Sequence, residues 1–241
     1  MKIGFYSPYL DAMGGGERYI LQMASLLSAN HNVIVFGPQA LREIANERFG
    51  LDLTKVSFAP SFFGSNIIKK VLKTREYDVL FYVTDGSIFI SGAGKNILIV
   101  QVPQKNMYHT DAFTKFKLGF WKTQLVYSVY VKKYIDLWWA THAVVFPPAV
   151  DIPRVKSNRK ENIILTVGRF FPYPHTKRQD VLIQAFKMMV KNGLKDWKLI
   201  IAGGVDRDGE VYLSEIKKLA KNANIEILTN IPFGKLCELY A

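Results

Sequence analysis

Ile163-Ile164-Leu165-Thr166-Val167-Gly168-Arg169 decides the fold class, because this apolar, β-branched run ends in a glycine followed by an arginine. Such a run predicts a buried strand of a parallel sheet. The next loop contains Lys177, and a helical pattern begins at Gln179. This order places two cations and a helix N-terminus at the carboxyl edge of the sheet, where open α/β sheets bind ligands. The sequence therefore predicts an anion site that contains Arg169 and Lys177.

Strands and amphipathic helices alternate along most of the 241 residues, on both sides of a segment rich in Pro, Lys, Arg, Ser and Asn. Alternation of this kind predicts an α/β protein with parallel sheets. We expect two Rossmann-like domains, at 1–148 and 163–241, joined by a linker at 149–162. Residues 112–139 have helical spacing and are expected to form one long helix. The second domain offers only three strands, so we expect it to be incomplete.

The charge balance favours an anionic partner. The formal net charge is +12, which is compatible with nucleic acid, an anionic membrane or a phosphorylated substrate. No recognised nucleic-acid-binding motif occurs, so a nucleic-acid partner is not expected. The single cysteine, Cys237, cannot form an internal disulfide, which favours a reducing, cytoplasmic location. The four histidines share no metal-ligand spacing, so no metal site is predicted.

A second loop, Gly14-Gly15-Gly16-Glu17, follows the first predicted strand. Three consecutive glycines allow close approach of a ligand to the backbone, and the following helix exposes N–H groups there. An ordinary strand-to-helix turn is the alternative interpretation. A dinucleotide fingerprint is disfavoured, because it would need a glycine where Tyr19 stands.

Six short motifs lie at the ends of predicted strands and in the loops that follow them. They are Gly14-Gly15-Gly16-Glu17-Arg18, Phe146-Pro147-Pro148-Ala149-Val150-Asp151, Val167-Gly168-Arg169, residues 177–186, Ile201-Ala202-Gly203-Gly204 and Ile225-Glu226-Ile227-Leu228. Together they resemble glycosyltransferase family 4, most of all the mannosyltransferases that extend lipid-linked oligosaccharides. The resemblance covers nearly the whole chain.

The resemblance implies a GT-B fold with the active site between its two domains. It also implies a retaining, metal-independent transfer of mannose or glucose from a GDP- or UDP-hexose to a lipid-linked (polyisoprenoid) or glycan acceptor, without a cofactor. Arg169 and Lys177 would bind the donor diphosphate, and Gln101 would stand near the place where many relatives have a catalytic histidine. The implied donor-binding glycines are Gly14, Gly15, Gly16, Gly168, Gly203 and Gly204. Secondary candidates are Glu17, His109 and His175.

The acidic E-x₇-E motif of the family would lie beyond Ala241. We therefore expect the 241-residue polypeptide to be inactive by itself and the protein to continue. A non-catalytic fragment that binds a sugar nucleotide or a lipid is the main alternative, and a nucleic-acid-binding module is a weaker one.

Residues 113–139 combine Phe, Trp and Tyr with five lysines. Basic, aromatic, amphipathic segments can lie in the interface of an anionic membrane. The alternative is a pair of core-packed helices with a solvated lysine face. The first interpretation predicts peripheral contact with the cytoplasmic face of a membrane.

Overall fold

The computed structural model describes residues 1–105, 108–150, 160–172, 176–205 and 207–240. The chain divides into two compact units, residues 1–150 and 151–241. Most of the predicted linker, residues 151–159, lies outside the described residues. Each unit contains its own parallel sheet and its own apolar core, so each is described separately.

The first unit is built on a seven-stranded parallel sheet with the order β3-β2-β1-β4-β5-β6-β7. Its strands are β1 (Lys2–Tyr6), β2 (Asn32–Phe36), β3 (Ser57–Ala59), β4 (Val79–Val83), β5 (Lys95–Val100), β6 (Thr123–Val126) and β7 (Val144–Val145). The central strands are nearly continuous apolar runs, as expected for strands that are buried on both faces. Their carboxyl ends lie at one edge and are followed by the loops that carry the predicted site residues.

Helices cover both faces of this sheet. They are α1 (Gly15–Leu27), α2 (Leu41–Phe49), α3 (Ile67–Thr74), α4 (Ala112–Leu118) and α5 (Val129–Trp139). Alternate residues of a strand face opposite sides. Accordingly, Phe5 packs with α1 and α2 in one apolar cluster, whereas Leu80 and Tyr82 pack with α4 and α5 in the other. The two clusters hold the sheet between two helical layers.

The expectation of one long helix over 112–139 is wrong. α4 stops at Gly119, and Thr123–Val126 forms β6, which pairs in parallel with β5 and β7. Buried Trp121 fixes the turn before β6 by donating its indole N–H to the Phe89 carbonyl (2.7 Å). The spacing of apolar residues did not reveal β6, because its short apolar run fits the period of a helix as well as that of a strand. Pairing with strands distant in sequence makes it a strand.

The abrupt passage from α5 to β7 is made by a single left-handed residue. Ala140 has φ 52° and ends the helix. The next turn is held by α5 itself: the Asp136 carboxylate accepts from the Ala143 N–H (2.7 Å), and Lys132 donates to the Ala143 carbonyl (2.6 Å). A turn without glycine or proline is therefore stabilised by side chains one or two helical turns upstream.

The second unit has a three-stranded parallel sheet with the order β10-β9-β8. Its elements are β8 (Ile163–Val167), α6 (Gln179–Lys191), β9 (Lys198–Gly203), α7 (Glu210–Ala220), β10 (Ile225–Thr229) and α8 (Phe233–Tyr240). Phe170, Ile183 and Phe186 are fully buried among the residues of its core. Phe170 lies in the loop after β8, so this loop is anchored in the core beside the predicted cations.

Candidate functional site

The loop after β8 brings Gly168, Arg169 and Lys177 together. The aliphatic stem of Lys177 packs against Gly168, where a Cβ would lie 3.1 Å from Lys177 Cγ. The Arg169 guanidinium stacks over the Phe171 ring, with 4.7 Å between its central carbon and the ring centroid. The Lys177 stem and the Arg169 guanidinium are thus each held in place by a packing contact of this loop.

Gln179, which the sequence analysis did not single out, holds this loop in place. Its amide Nε2 donates to the carbonyls of Gly168 (3.4 Å) and Arg169 (3.2 Å). Its Oε1 accepts from the Tyr212 hydroxyl (3.0 Å) on α7. The side chain is buried, so these contacts satisfy an amide that would otherwise be costly to bury. Glutamine at the first position of a helix carries no sequence signal for such a role.

Replacement of Gln179 by leucine is expected to destabilise the second unit by about 1–3 kcal/mol, because two loop carbonyls and the Tyr212 hydroxyl lose their partner. Thermal unfolding followed by circular dichroism measures the loss. Tyr212→Phe removes only one of these hydrogen bonds and serves as the milder control. Equal stability of the Gln179→Leu variant and the parent protein would contradict this role.

Gly203 and Gly204 end β9 beside the same loop. The Phe170 N–H donates to the Gly204 carbonyl (2.9 Å), and the Asn230 N–H donates to the Gly203 carbonyl (3.0 Å). A Cβ at Gly203 would overlap the Gly168 carbonyl oxygen, and one at Gly209 would overlap the Phe170 carbonyl oxygen. Gly203 must therefore lack a side chain because the backbone next to Arg169 packs directly against it.

The N-terminus of α6 already has an acidic neighbour. Asp180 lies in its first turn and forms a bidentate salt bridge with Arg178, with 3.1 Å for each N···O contact. This pair holds the pKa of the Asp180 carboxyl below its usual range, so Asp180 stays ionised at the end of the helix where a negative charge is favoured. We therefore assign anion binding at this loop chiefly to Arg169 and Lys177 rather than to the helix end.

In the first unit, the glycine loop lies between β1 and α1, which begins at Gly15. Glu17 is buried, and its carboxylate accepts from the Gly14 N–H (2.7 Å). Glu17 thus caps its own helix. No atom lies within 4 Å of a Cβ at Gly15, whereas a Cβ at Gly16 would overlap the Gln101 amide. Of these two glycines, Gly15 is the one that borders open space.

Gln101 and Tyr127 follow the neighbouring strands β5 and β6, whose last residues, Val100 and Val126, are paired. Gln101 Nε2 and Tyr127 Oη are both buried and make no hydrogen bond of normal geometry. Burial raises the pKa of Tyr127, more than the nearby Gln101 amide lowers it, so the hydroxyl stays protonated. Two polar donors therefore stand side by side at the carboxyl edge. Sequence analysis identified Gln101 but missed Tyr127, because β6 was not predicted.

The two histidine candidates are not part of these clusters as described. His109 lies on an exposed loop, where its backbone carbonyl accepts from the Trp139 indole N–H (3.2 Å). This contact gives His109 a role in holding α5. His175 lies outside the described residues.

The second unit matches a known family. Residues 150–241 fit the family model described as "Glycosyl transferases group 1". The second unit is thus similar to group 1 glycosyltransferase domains. The loop that carries Arg169, Lys177 and Gln179 lies entirely within this domain. This match, together with the relatives described next, confirms the predicted resemblance to family 4 glycosyltransferases.

One curated relative is GDP-Man:Man(3)GlcNAc(2)-PP-Dol alpha-1,2-mannosyltransferase of Xenopus laevis. It is 30% identical over 118 residues, which cover 42% of this chain and 24% of the frog protein. The alignment thus spans about a quarter of that relative.

Solved structures show the fold. The Anabaena HepE protein, in complex with UDP and glucose, has a TM-score of 0.60 and 14% identity, covering 95% of this chain and 69% of its own. Staphylococcus aureus MnaA bound to UDP has a TM-score of 0.55 and 9% identity, covering 99% and 70%. With the two parallel sheets, these likenesses confirm the predicted α/β fold of GT-B type. Within the described residues, no helix has the length and apolar character needed to cross a bilayer.

Proposed function

We propose that this chain functions in a retaining transfer of a hexose from a nucleoside diphosphate sugar. The observation that carries the proposal is the loop after β8, where Lys177 packs on Gly168 and Gln179 binds the carbonyls of Gly168 and Arg169. A planar guanidinium and a mobile ammonium on one braced loop suit the oxygens of a diphosphate. The position of this loop within a group 1 glycosyltransferase domain supports the same assignment.

In this mechanism the bond between the sugar and the diphosphate breaks, and negative charge develops on the leaving phosphate oxygen. Arg169 and Lys177 stabilise that charge. The acceptor hydroxyl attacks the sugar from the face that the diphosphate leaves, so the configuration is retained. Its proton passes to the departing phosphate oxygen. The protein thus contributes orientation and charge stabilisation without a dedicated base and without a metal.

Gln101 and Tyr127 suit hydroxyl groups of a sugar. An amide N–H donates to a sugar oxygen, and a protonated tyrosine hydroxyl both donates and accepts. Neither buried group has a hydrogen-bond partner of normal geometry among the described residues, which is costly unless a ligand or water pairs with it. We assign this pair to recognition of the transferred hexose or of the acceptor.

Isothermal titration calorimetry with UDP-glucose, GDP-mannose and an ADP-hexose tests the proposal. One similar structure is a complex with UDP and glucose, and the frog relative is a GDP-mannose-dependent transferase by name, so binding of a UDP- or GDP-hexose is expected. Absence of binding for all three, in a protein whose circular dichroism shows a folded state, would contradict a nucleotide-sugar site. A non-catalytic sugar-nucleotide-binding role would instead give binding without transfer in the protein supplied with acceptor.

The glycine loop offers a matched pair of variants. Gly15→Ala is expected to change the free energy of unfolding by less than about 1 kcal/mol, because open space surrounds that position. If a bound sugar or diphosphate approaches this backbone, the same variant weakens ligand binding by about tenfold or more, on the order of 1.4 kcal/mol. Calorimetry and thermal unfolding measure the two effects separately.

Gly16→Ala is the comparison, since its new methyl group must displace the Gln101 amide. It is expected to lower stability and ligand affinity together. If ligand affinity is unchanged in the Gly15→Ala variant, the glycine loop does not contact the ligand and is an ordinary strand-to-helix turn.

We further propose that the acceptor is a lipid-linked or free glycan, and that the protein works at the cytoplasmic face of a membrane. The frog relative is named for a dolichol-diphosphate glycan acceptor, which supports this assignment. Nucleic acid is not among the proposed partners.

A further inference from the structure

The helices α3 and α4 expose large apolar side chains among lysines. Ile68 and Leu72 on α3 are 72% and 55% exposed, and Phe113 and Phe116 on α4 are 56% and 57% exposed. Ile67 at the start of α3 and Phe120 after α4 are exposed as well. Soluble proteins rarely group so many large apolar side chains at the surface without a partner for them. We call this the α3–α4 surface.

One connecting segment, residues 89–92, contacts both the last turns of α3 and the turn after α4. The Gly92 N–H donates to Thr74 Oγ1 (2.7 Å) at the end of α3, and the Lys70 ammonium lies 5.7 Å from the centroid of the Phe89 ring. On its other side, Phe89 accepts the indole N–H of Trp121, just past α4. The segment from Phe89 to Gly92 therefore joins α3 to the end of α4. A cavity of about 340 Å³ beside this segment is lined by Gly92, Phe120 and Lys122.

The charges of the surface have one sign. Residues 66–75 contain Lys69, Lys70, Lys73 and Arg75 and no acidic residue, and residues 112–123 contain Lys115, Lys117 and Lys122 and no acidic residue. Glu76, which follows α3, contacts the ammonium of Lys73 (3.4 Å). Asp111, which precedes α4, caps that helix. Exposed apolar side chains ringed by seven basic residues complement an anionic lipid surface, since the chains enter the interface while the cations meet the headgroups.

The position of the surface agrees with this use. In a parallel sheet the connecting helices run back from the carboxyl edge to the amino edge, so α3 and α4 both begin at the carboxyl edge. Ile67, Ile68 and Phe113 lie in these first turns. That edge also carries Gln101 and Tyr127. A membrane against the α3–α4 surface would thus lie beside the place where we assign sugar hydroxyl recognition.

We propose that the α3–α4 surface docks on an anionic membrane, with Phe113, Phe116, Ile68 and Leu72 inserted and the lysines at the headgroups. The proposal deepens the proposed function and rests on it only for the lipid-linked acceptor. It differs from the sequence expectation for residues 113–139, because α5 is separated from α4 by β6. Lys132 of α5 is engaged by Asp136 and the Ala143 carbonyl.

Flotation of the full chain with phosphatidylcholine vesicles, with and without phosphatidylserine, tests this docking. The parent protein is expected to float with the anionic vesicles at low salt, and less at high salt because salt screens the lysines. Lys69→Ala combined with Lys115→Ala is expected to weaken partitioning about 30-fold. Phe113→Ser combined with Phe116→Ser is expected to weaken it about tenfold or more.

Matched controls lie on the second unit. Lys217→Ala with Lys218→Ala makes the same change of net charge on exposed positions of α7, and Met188→Ser with Val211→Ser removes two exposed apolar side chains. Both are expected to float like the parent protein. Circular dichroism confirms that each variant is folded.

No flotation of the parent protein, or equal loss in the control variants, would overturn the proposal. Concentration-dependent dimers in sedimentation, abolished by the phenylalanine variants, would overturn it in favour of a contact between two copies. Nucleotide-sugar calorimetry on the same sample separates the hypotheses: a protein that binds the sugar nucleotide but no vesicles refutes only the docking. Vesicle binding without sugar-nucleotide binding refutes only the transferase.

Discussion

Replacement of Arg169 or Lys177 by alanine is expected to lower the rate of hexose transfer by about 10²–10³, because each removes a fixed cation from the oxygen on which charge develops. Binding of the nucleotide sugar should also weaken, since a hydrogen bond to a charged group contributes roughly 1.5–3 kcal/mol. Transfer rates of the acceptor-supplied enzyme and calorimetry of the donor measure the two effects. A transfer rate that falls more than affinity would show that the cations act mainly in the transition state.

The loop provides its own control for this experiment. Arg178 is an exposed cation next to Lys177, but its guanidinium is paired with Asp180. Arg178→Ala makes the same change of charge and is expected to leave the transfer rate within about threefold, because a surface pair contributes little. Near-normal rates in both Arg169→Ala and Lys177→Ala would refute the assignment. Loss in Arg178→Ala equal to theirs would point to net charge instead of position.

Gly203→Ala is expected to destabilise the second unit strongly. The added methyl group would overlap the Gly168 carbonyl oxygen, which belongs to backbone and cannot rotate away. The loop after β8 must shift, at a cost of about 3 kcal/mol or more. A change of this size lowers the melting temperature by roughly 10–20 °C in a unit of this length. Donor affinity should fall as well, because Gly168 adjoins Arg169.

Gly234→Ala is the matched control. No atom lies within 4 Å of a Cβ at that position in α8, so the same substitution is expected to stabilise the helix by about 0.5–1 kcal/mol. Thermal unfolding of both variants, with calorimetry of the donor, measures the difference. If the Gly203→Ala variant has the same melting temperature as the parent protein, the close contact between β9 and the loop does not require a glycine.

Much of the architecture followed from local patterns. The bounds of β8 and the start of α6 were predicted as the structure has them, because a long apolar run and clear helical spacing are strong signals. β6 was missed. Its four residues pair with β5 and β7, which are distant from it in sequence. A short apolar run between two helices also shows no periodicity that would distinguish a strand from a helix.

The candidate site was predictable to the same extent. Arg169 and Lys177 stood out because residue types and their order relative to a strand and a helix are local information. Gln179 and Tyr127 did not, because a buried amide beneath two carbonyls and a hydroxyl beside Gln101 arise from packing. The packing role of Gly203 likewise depends on the Gly168 carbonyl, 35 residues away in the chain (203 − 168).

The amino-acid sequence alone determined a parallel-sheet architecture in two parts and a cationic loop after β8. These features are local, because the alternation of strands and helices and the spacing of apolar residues follow from the geometry of each element. Contacts between remote segments decided the rest: that Gln179 braces the loop, that Gly203 must lack a side chain, and that residues 89–92 contact both α3 and the turn after α4. Such contacts depend on which atoms meet after folding, and no local pattern records that.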